Sequence, residues 1–463
     1  MASNLERIAT ADVRQVFAPY PLATKSNGLV FLSGVRAGMT AANPRGFEAL
    51  PSEGQAKRQG YPLADALEGV ATAESWSAHE NLEHVLRAAG TTGDQLLRQH
   101  IWQRDKRFFP CYERVRMHWQ AAPAPSSGLG VARVSGRADG WIGIDGIAVC
   151  PGESALFAAR QVVSGVDSKQ LPSASHYSQA VRSGPLLFTA GHIAIKTAEP
   201  GKPLVNAFDD VPPEGRFLAT GRSHPDSRDG PIAAQTWYIY NELRRTIEQH
   251  GLAMRDVIHA TVFLGDLRDF GTFHRVHRHF FPDEGPSLCV AGFDEVGHRG
   301  CRIEIELTAL DGKVGLTTAR TPWVGAAPFA APAVMRAGPL LYCSGMLGIG
   351  ADGMLVRGAD ALPGAARGLV SELESMERVR GLAAQCWASL SQLKESLARA
   401  GSSMAQLAKT SLYVRDERDF AVYEMVRREF IRDSELPAVE VIVVQGPGPV
   451  PDAHVQIEAI AIV

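Results

Sequence analysis

A chain of 463 residues carries 47 Lys and Arg against 50 Asp and Glu, a formal net charge of -3, with 45% hydrophobic and 21% charged residues. That length suits about three domains of roughly 100 to 200 residues, and the near-balanced charge offers no basic footprint for a phosphate backbone, so nucleic acid is not an expected partner. No apolar run reaches the roughly 18 residues of a membrane span, the opening MASNLERIATADVRQVF lacks a signal-type apolar core, and the scattered Cys111, Cys150, Cys289, Cys301, Cys343 and Cys386 read as reduced thiols, so a cytoplasmic location without membrane contact is expected.

In chain order, ATKSNGLVFLSGVR (23–36) reads as a short apolar strand ending at Gly34. After a long stretch, 37–72, SAHENLEHVLRAA repeats its apolar residues at three- and four-residue spacing, which predicts an amphipathic helix stopped by Gly90. The next block, GTTGDQLLRQHIWQRDKRFF (90–109), predicts a strand, PCYERVRMHWQ a second helix, and WIGIDGIAV a closing strand after a turn.

The series then returns. AVRSGPLLFTAGHI (180–193) ends at Gly191, AQTWYIYNELRRTIEQH predicts the helix, GLAMRDVIHATVFLGDLRDF (251–270) the strand block, GTFHRVHRHFF the second helix and RIEIELTAL the last strand. It returns again as VMRAGPLLYCSGML (334–347) with Gly345, AAQCWASLSQLKESLARA, GSSMAQLAKTSLYVRDERDF (401–420), AVYEMVRREFI and VQIEAIAIV. The repeated blocks align without gaps, so the chain is a threefold tandem repeat with the plan strand, strand, helix, strand, helix, strand, strand. Gly-, Pro- and Ser-rich segments at 150–175 and 311–332 read as linkers. The long stretches 37–72, 195–230 and 349–380 read as lids or packing loops.

Several residues invite chemistry. His274 and His277 lie one turn apart, but a zinc site needs further ligands and none is evident, so no metal is expected. His274 aligns with Glu113 and Glu424, and His192 follows Gly191 where the other copies have Val35 and Met346. Arg36, two residues past Gly34, is a candidate anion group. No phosphate loop is present, and no cofactor is required.

The carrying motifs are Tyr177-Ser178-Gln179-Ala180, the Ala190-Gly191 strand end, DLRDFGTFHRVHRHFF and IEIELTAL in the second copy, with Ser344-Gly345, VRDERDFAVYEMVRREF and VQIEAIAIV in the third. On these the copies resemble the Rid family, formerly the YjgF family, of enamine and imine deaminases. The resemblance implies an α+β chain of three Rid-like (chorismate-mutase-like) domains, 1–150, 174–311 and 330–463, the first the most diverged. Each is expected to be a mixed sheet with two helices on one face. Together they would form an intramolecular pseudo-trimer, alone or in a higher homo-oligomer, with sheets inside and ligand clefts between neighbours. A fused chain can vary each cleft separately, as a symmetric trimer cannot.

The family grips a substrate carboxylate with an Arg after a Pro-Ala pair, and here the corresponding stretches PSSGLGV (125–131), PSLCV (286–290) and PAVEV (437–441) hold no Arg. By resemblance Tyr177, Cys289 and Glu304 are the candidate catalytic residues, Glu304 handling water or protons; the positions equivalent to Glu304 are Gly143 and Gln456. Gly191, His192, His274, Gly34, Arg36, Gly345 and Glu424 are the candidate small-molecule substrate contacts. The expected activity is hydrolysis of an imine, an enamine or a related reactive metabolite. Alternatives are a chorismatase-like cofactor-free lyase or hydrolase, and a non-catalytic metabolite-binding or scaffold protein.

Overall fold

The computed structural model describes residues 5–40, 44–59, 65–137, 139–163, 177–196, 199–215, 229–283, 285–373, 375 and 381–463. Part of each long stretch and residues 164–176 of the first linker lie outside them.

The repeated opening block is a hairpin rather than a single strand. In the first repeat, Asn27 and Gly28 hold φ of 52° and 76°, the handedness that joins antiparallel strands through a two-residue turn. They link β2 (Ala23–Ser26) to β3 (Leu29–Leu32). Around this hairpin run β1 (Glu6–Ile8), β4 (Val35–Arg36), α1 (Ser52–Gln55), α2 (Asp65–Ala88), β5 (Leu96–Gln103), α3 (Phe109–Trp119), β6 (Ser126–Gly130) and β7 (Ile142–Val149).

The second repeat has β8 (Gln161–Val163), β9 (Ala180–Ser183), β10 (Leu186–Thr189), α4 (Asp229–Gln249), β11 (Val257–Leu264), α5 (Phe270–Phe280), β12 (Ser287–Gly292) and β13 (Ile303–Leu310). The third has β14 (Thr318–Thr321), β15 (Val334–Ala337), β16 (Leu340–Leu347), α6 (Gly364–Leu373), α7 (Leu382–Arg399), β17 (Leu407–Val414), α8 (Asp419–Arg427), β18 (Ala438–Val443) and β19 (Val455–Ile462). The fold is therefore mixed α+β, with three sheets and eight α-helices among the described residues.

The sheets share one strand order: β1-β2-β3-β7-β5-β6 with β4 on β7, β8-β9-β10-β13-β11-β12, and β14-β15-β16-β19-β17-β18. In each, the last pair (β5/β6, β11/β12, β17/β18) is parallel and the other pairs are antiparallel. The segments read as linkers thus supply an edge strand, β8 or β14, to the sheet that follows. Strands of three or four residues in Gly- and Ser-rich surroundings are too short to display an alternation.

Helices α2, α4 and α7 pack against the strands of their own repeats and against α3, α5 and α8. Each ends at a glycine with positive φ: Gly90 at 86°, Gly251 at 74° and Gly401 at 84°, a conformation that costs glycine little. The opposite sheet faces meet one another. One apolar cluster joins Phe31 and Leu97, Phe188 and Ile258, and Tyr342 and Ala408, a pair from each repeat; a second joins Trp102, Phe263 and Tyr413.

Between these clusters lies a closed circuit of charge. Each central strand carries a bulge at the same point, which re-aims Arg98, His259 and Lys409. Arg98 reaches Glu306 of the second repeat at 3.3 Å, His259 reaches Glu458 of the third at 2.7 Å, and Lys409 reaches Asp145 of the first at 2.8 Å. Every repeat gives a basic group to the next and receives one from the last.

Candidate active site

Strand register makes Ser127, Cys289 and Glu440 equivalent, each opposite the equivalent positions His100, Thr261 and Ser411. Each faces the glycine-ended strand of a neighbouring repeat. Gly191 N–H donates to Ser126 O at 3.2 Å, and Gly34 N–H donates to Val439 O at 2.9 Å. Leu288 N–H donates to Ser344 Oγ at 2.8 Å, beside Gly345. Three equivalent clefts result, and the chain has furnished them differently.

Between the second and third repeats, Gln456 occupies the cleft. It is fully buried and donates to Val290 O at 3.0 Å and to Pro447 O, with Cys289 Sγ at 3.5 Å. A Cβ on Gly345 would overlap its amide. Between the third and first repeats, Arg36 and Glu440 fill the cleft. Arg36 also donates to Ser135 Oγ at 2.9 Å and lies over the Phe17 ring. Tyr20 at the same interface donates to Glu424, which pairs with Arg427 at 2.6 Å.

Between the first and second repeats the cleft is open, as a cavity of about 850 Å³ lined by Tyr177, Gly191, His192, Lys106, Cys301 and Glu304 among others. The wall is clipped together by Gly130 N–H donating to Glu295 O at 2.8 Å and Lys106 N–H donating to the Glu295 carboxylate at 3.1 Å. Glu304 is 4% exposed. Burial raises its carboxyl to about 7, against the pull of the Lys106 ammonium and of hydrogen bonding at the Ser127 hydroxyl and the Gly297 backbone, while Glu306 pushes the same way as burial. A Cβ at Gly191 would collide with the Glu304 carboxylate and the Ser127 hydroxyl, so this glycine makes room for the acid itself.

Ser127 Oγ donates to Glu306 Oε2 at 2.6 Å, tying the cleft to the axial circuit through Arg98 and His100. His192 Nδ1 lies 2.9 Å from the Ala190 carbonyl, which fixes the proton there. Burial lowers its pKa, so the neutral ring presents Nε2 as an acceptor, and that atom is buried without a partner among the described residues. The Tyr177 phenol is held protonated by burial, with Glu304 and Glu113 adding to the effect, and is therefore a donor.

Tyr177, Gly191, His192 and Glu304 thus come together in one cavity. Cys289 does not join them; it lies by Gln456 in the second cleft, and Ser127 stands in its place opposite Glu304. Gly345 borders that second cleft, whereas Gly34, Arg36 and Glu424 belong to the third. His274 accepts from Ala330 N–H at 3.3 Å at the boundary of the second and third repeats. Its neighbour His277 is buried rather than on the helix flank, 2.6 Å from Tyr240 Oη, because the helix turns it into the core. Among the described residues no group of three or more His, Cys, Asp and Glu could hold a metal ion.

Sequence reading passed over Lys106, Ser127 and Cys301. The signal for Lys106 was present: it aligns with Leu267 and Glu417, a cation, an apolar residue and an acid at one position. Cys301 is half-buried in the cavity, its thiol pushed up to about 11 by burial, so it is no thiolate nucleophile at neutral pH.

Residues 219–311 and 323–463 match the sequence model of the family described as Endoribonuclease L-PSP, and the chain belongs to this family, the YjgF/RidA family. Within it, the chain is 26% identical over 148 residues to the mitochondrial protein mmf2 of Schizosaccharomyces pombe, a match covering 32% of this chain and 96% of the relative. It is 28% identical over 79 residues to the 2-iminobutanoate/2-iminopropanoate deaminase of Escherichia coli, covering 17% of this chain and 62% of the deaminase. Among solved structures it is similar to a chorismatase, at 13% identity and TM-score 0.45 over 80% of this chain and 93% of that one. No described helix is long and apolar enough to cross a membrane.

Proposed function

We propose that the cavity between the first and second repeats hydrolyses an imine or enamine without a cofactor, with Glu304 as the proton-transfer group. The observation that carries this reading is a carboxyl raised to about 7 inside the open cleft, where the filled clefts have Gly143 and Gln456. A group poised near neutrality can both take and return a proton.

The ionised Glu304 takes a proton from water as the water oxygen bonds to the C=N carbon and the π pair moves to nitrogen. Glu304 returns that proton to the anionic nitrogen, giving the carbinolamine, then takes the hydroxyl proton as C=O reforms and delivers it to the departing amine, so that imine plus water yields carbonyl plus ammonia. Tyr177 and the Gly297 backbone border the place where charge develops. The neutral His192 Nε2 accepts from the substrate N–H. Four cations, Lys106, Arg107, Arg299 and Arg302, share this cavity with six carboxyls including Glu242 and Asp294, which disfavours a dianionic substrate such as a chorismatase requires.

In the same reading the repeats, 1–150, 174–311 and 330–463, act as domains of one intramolecular pseudo-trimer, an arrangement supported by the circuit of Arg98, His259 and Lys409. Sedimentation of the 49.8 kDa chain distinguishes a monomer from a higher oligomer. The activity is tested by generating imino acids in situ with an amino-acid oxidase and following their decay. Acceleration by the wild-type protein, lost in Glu304→Gln, is expected; decay no faster than in buffer across acidic and neutral substrates overturns the reading.

A further inference from the structure

The ammonium of Lys106 lacks a contact ion pair, and the Glu304 and Glu295 carboxylates act on it only through space. It is half-buried in the open cavity, donates to the Gly128 carbonyl, and makes no ion pair among the described residues. Two other cations of the cavity are already paired: Arg107 with Asp105 at 2.5 Å, and Arg302 with Asp269 at 2.8 Å. An ammonium has three N–H donors, and withdrawing it from water without an anion is costly unless a ligand brings one.

The equivalent residues show what a satisfied version looks like. Leu267 packs into the second cleft, against the positions where Gly292 and Gly446 lack side chains. Glu417 accepts from Gly136 N–H and pairs with Arg133 at 3.5 Å in the third. Each side chain meets a partner supplied by the neighbouring repeat, whereas the Lys106 ammonium donates to Gly128 of its own repeat and borders the open cavity. The adjoining strand β6 has no arginine and the cavity's Arg299 is exposed, so an anion entering this cavity has Lys106 as its half-buried cation outside any contact ion pair.

The remaining walls are largely apolar. Phe109, Tyr177, Ile193, Tyr238 and Val296 line them, and the Lys106 ammonium is 5.8 Å from the centre of the Phe109 ring. At about 850 Å³ the cavity stands near the top of the roughly 300 to 1,000 Å³ typical of drug-sized ligands, far beyond a three- or four-carbon acid.

We propose that Lys106 receives the carboxylate of the substrate and that the substrate is an imino or enamino acid bearing an aromatic side chain. This rests on the hydrolytic reading for the imine, but the recognition of an aryl monocarboxylate is measurable without turnover. Isothermal titration with phenylacetate, its neutral isostere phenylacetamide, and acetate separates charge from size.

Phenylacetate is expected to bind about tenfold or more tightly than either of the others. Lys106→Met should erase the preference for acid over amide and leave amide binding unchanged, while Lys106→Arg should retain it. Equal binding of acid and amide by the wild-type protein, or an unaltered preference in Lys106→Met, overturns the role of Lys106. Acetate binding as tightly as phenylacetate overturns the aromatic class. Should Lys106→Met fail to fold, the wild-type comparison and Lys106→Arg still decide. Imine hydrolysis without acid preference defeats this inference alone; acid preference without imine hydrolysis defeats the hydrolytic reading alone.

Discussion

Arg36 and Glu440, 404 positions apart in the chain, form an ion pair in which each side chain is 1% exposed. The pair seals the cleft between the third and first repeats. Removing one member leaves a buried charge uncompensated, so Glu440→Ala should destabilise the protein by about 3 to 5 kcal/mol. The double variant Arg36→Met/Glu440→Met should recover most of that loss in urea denaturation, since the cost lies in the orphaned charge.

Folding raises Glu304 from its usual 4.5 to about 7, mainly by burial. A carboxyl raised in this way contributes its stability fully below the unfolded value and loses it as pH climbs through the folded one. Glu304→Gln cannot ionise, so it should match the wild-type protein below pH 4.5 and exceed it by about 3 kcal/mol at pH 8. The wild-type hydrolysis rate should rise with pH around a midpoint near 7, and the Gln variant should show no such rise.

Gly191→Ala introduces a methyl where the Glu304 and Ser127 side chains already sit. Both are side-chain tips that can shift, so the stability cost should be small, about 1 kcal/mol, whereas activity should fall at least about tenfold through misplacement of the acid. A thermal melt and an imine-decay assay on one preparation compare the two effects. A large loss of stability with activity per folded molecule intact would contradict the placement.

Arg98 holds Glu306 together with His100 and Ser127. Arg98→Met should cost about 3 kcal/mol by leaving Glu306 under-compensated. Because Ser127 joins Glu306 to the cavity, the midpoint of the pH–rate profile should also move. An unchanged profile would show that the axial circuit and the cleft are uncoupled.

Much of the fold was legible because the helices and long strands carry their periods in sequence. VIHATVFL coincides with β11, and the glycines placed after α2, α4 and α7 do hold positive φ. Other features left no local trace. Helix α2 begins at Asp65, inside a stretch read as loop, and α6 lies wholly inside another. The edge strands β8 and β14 hid in apparent linkers.

The site was half legible for a similar reason. Tyr177, Gly191, His192 and Glu304 lie in one repeat and were found by matching a single-repeat pattern. Lys106 and Ser127 come from the neighbouring repeat, and their relation to Glu304 exists only across an interface. Cys289 was grouped with Glu304 because both belong to the second repeat, but strand β12 faces the opposite neighbour.

Two of the three clefts are closed by the chain's own side chains, Gln456 in one and Arg36 with Glu440 in the other. A trimer of separate single-repeat subunits presents three identical sites that can influence one another as they fill. Here saturation is expected at one equivalent for each 49.8 kDa of protein, along a simple hyperbola, because among the described residues the two equivalent clefts are already occupied by side chains.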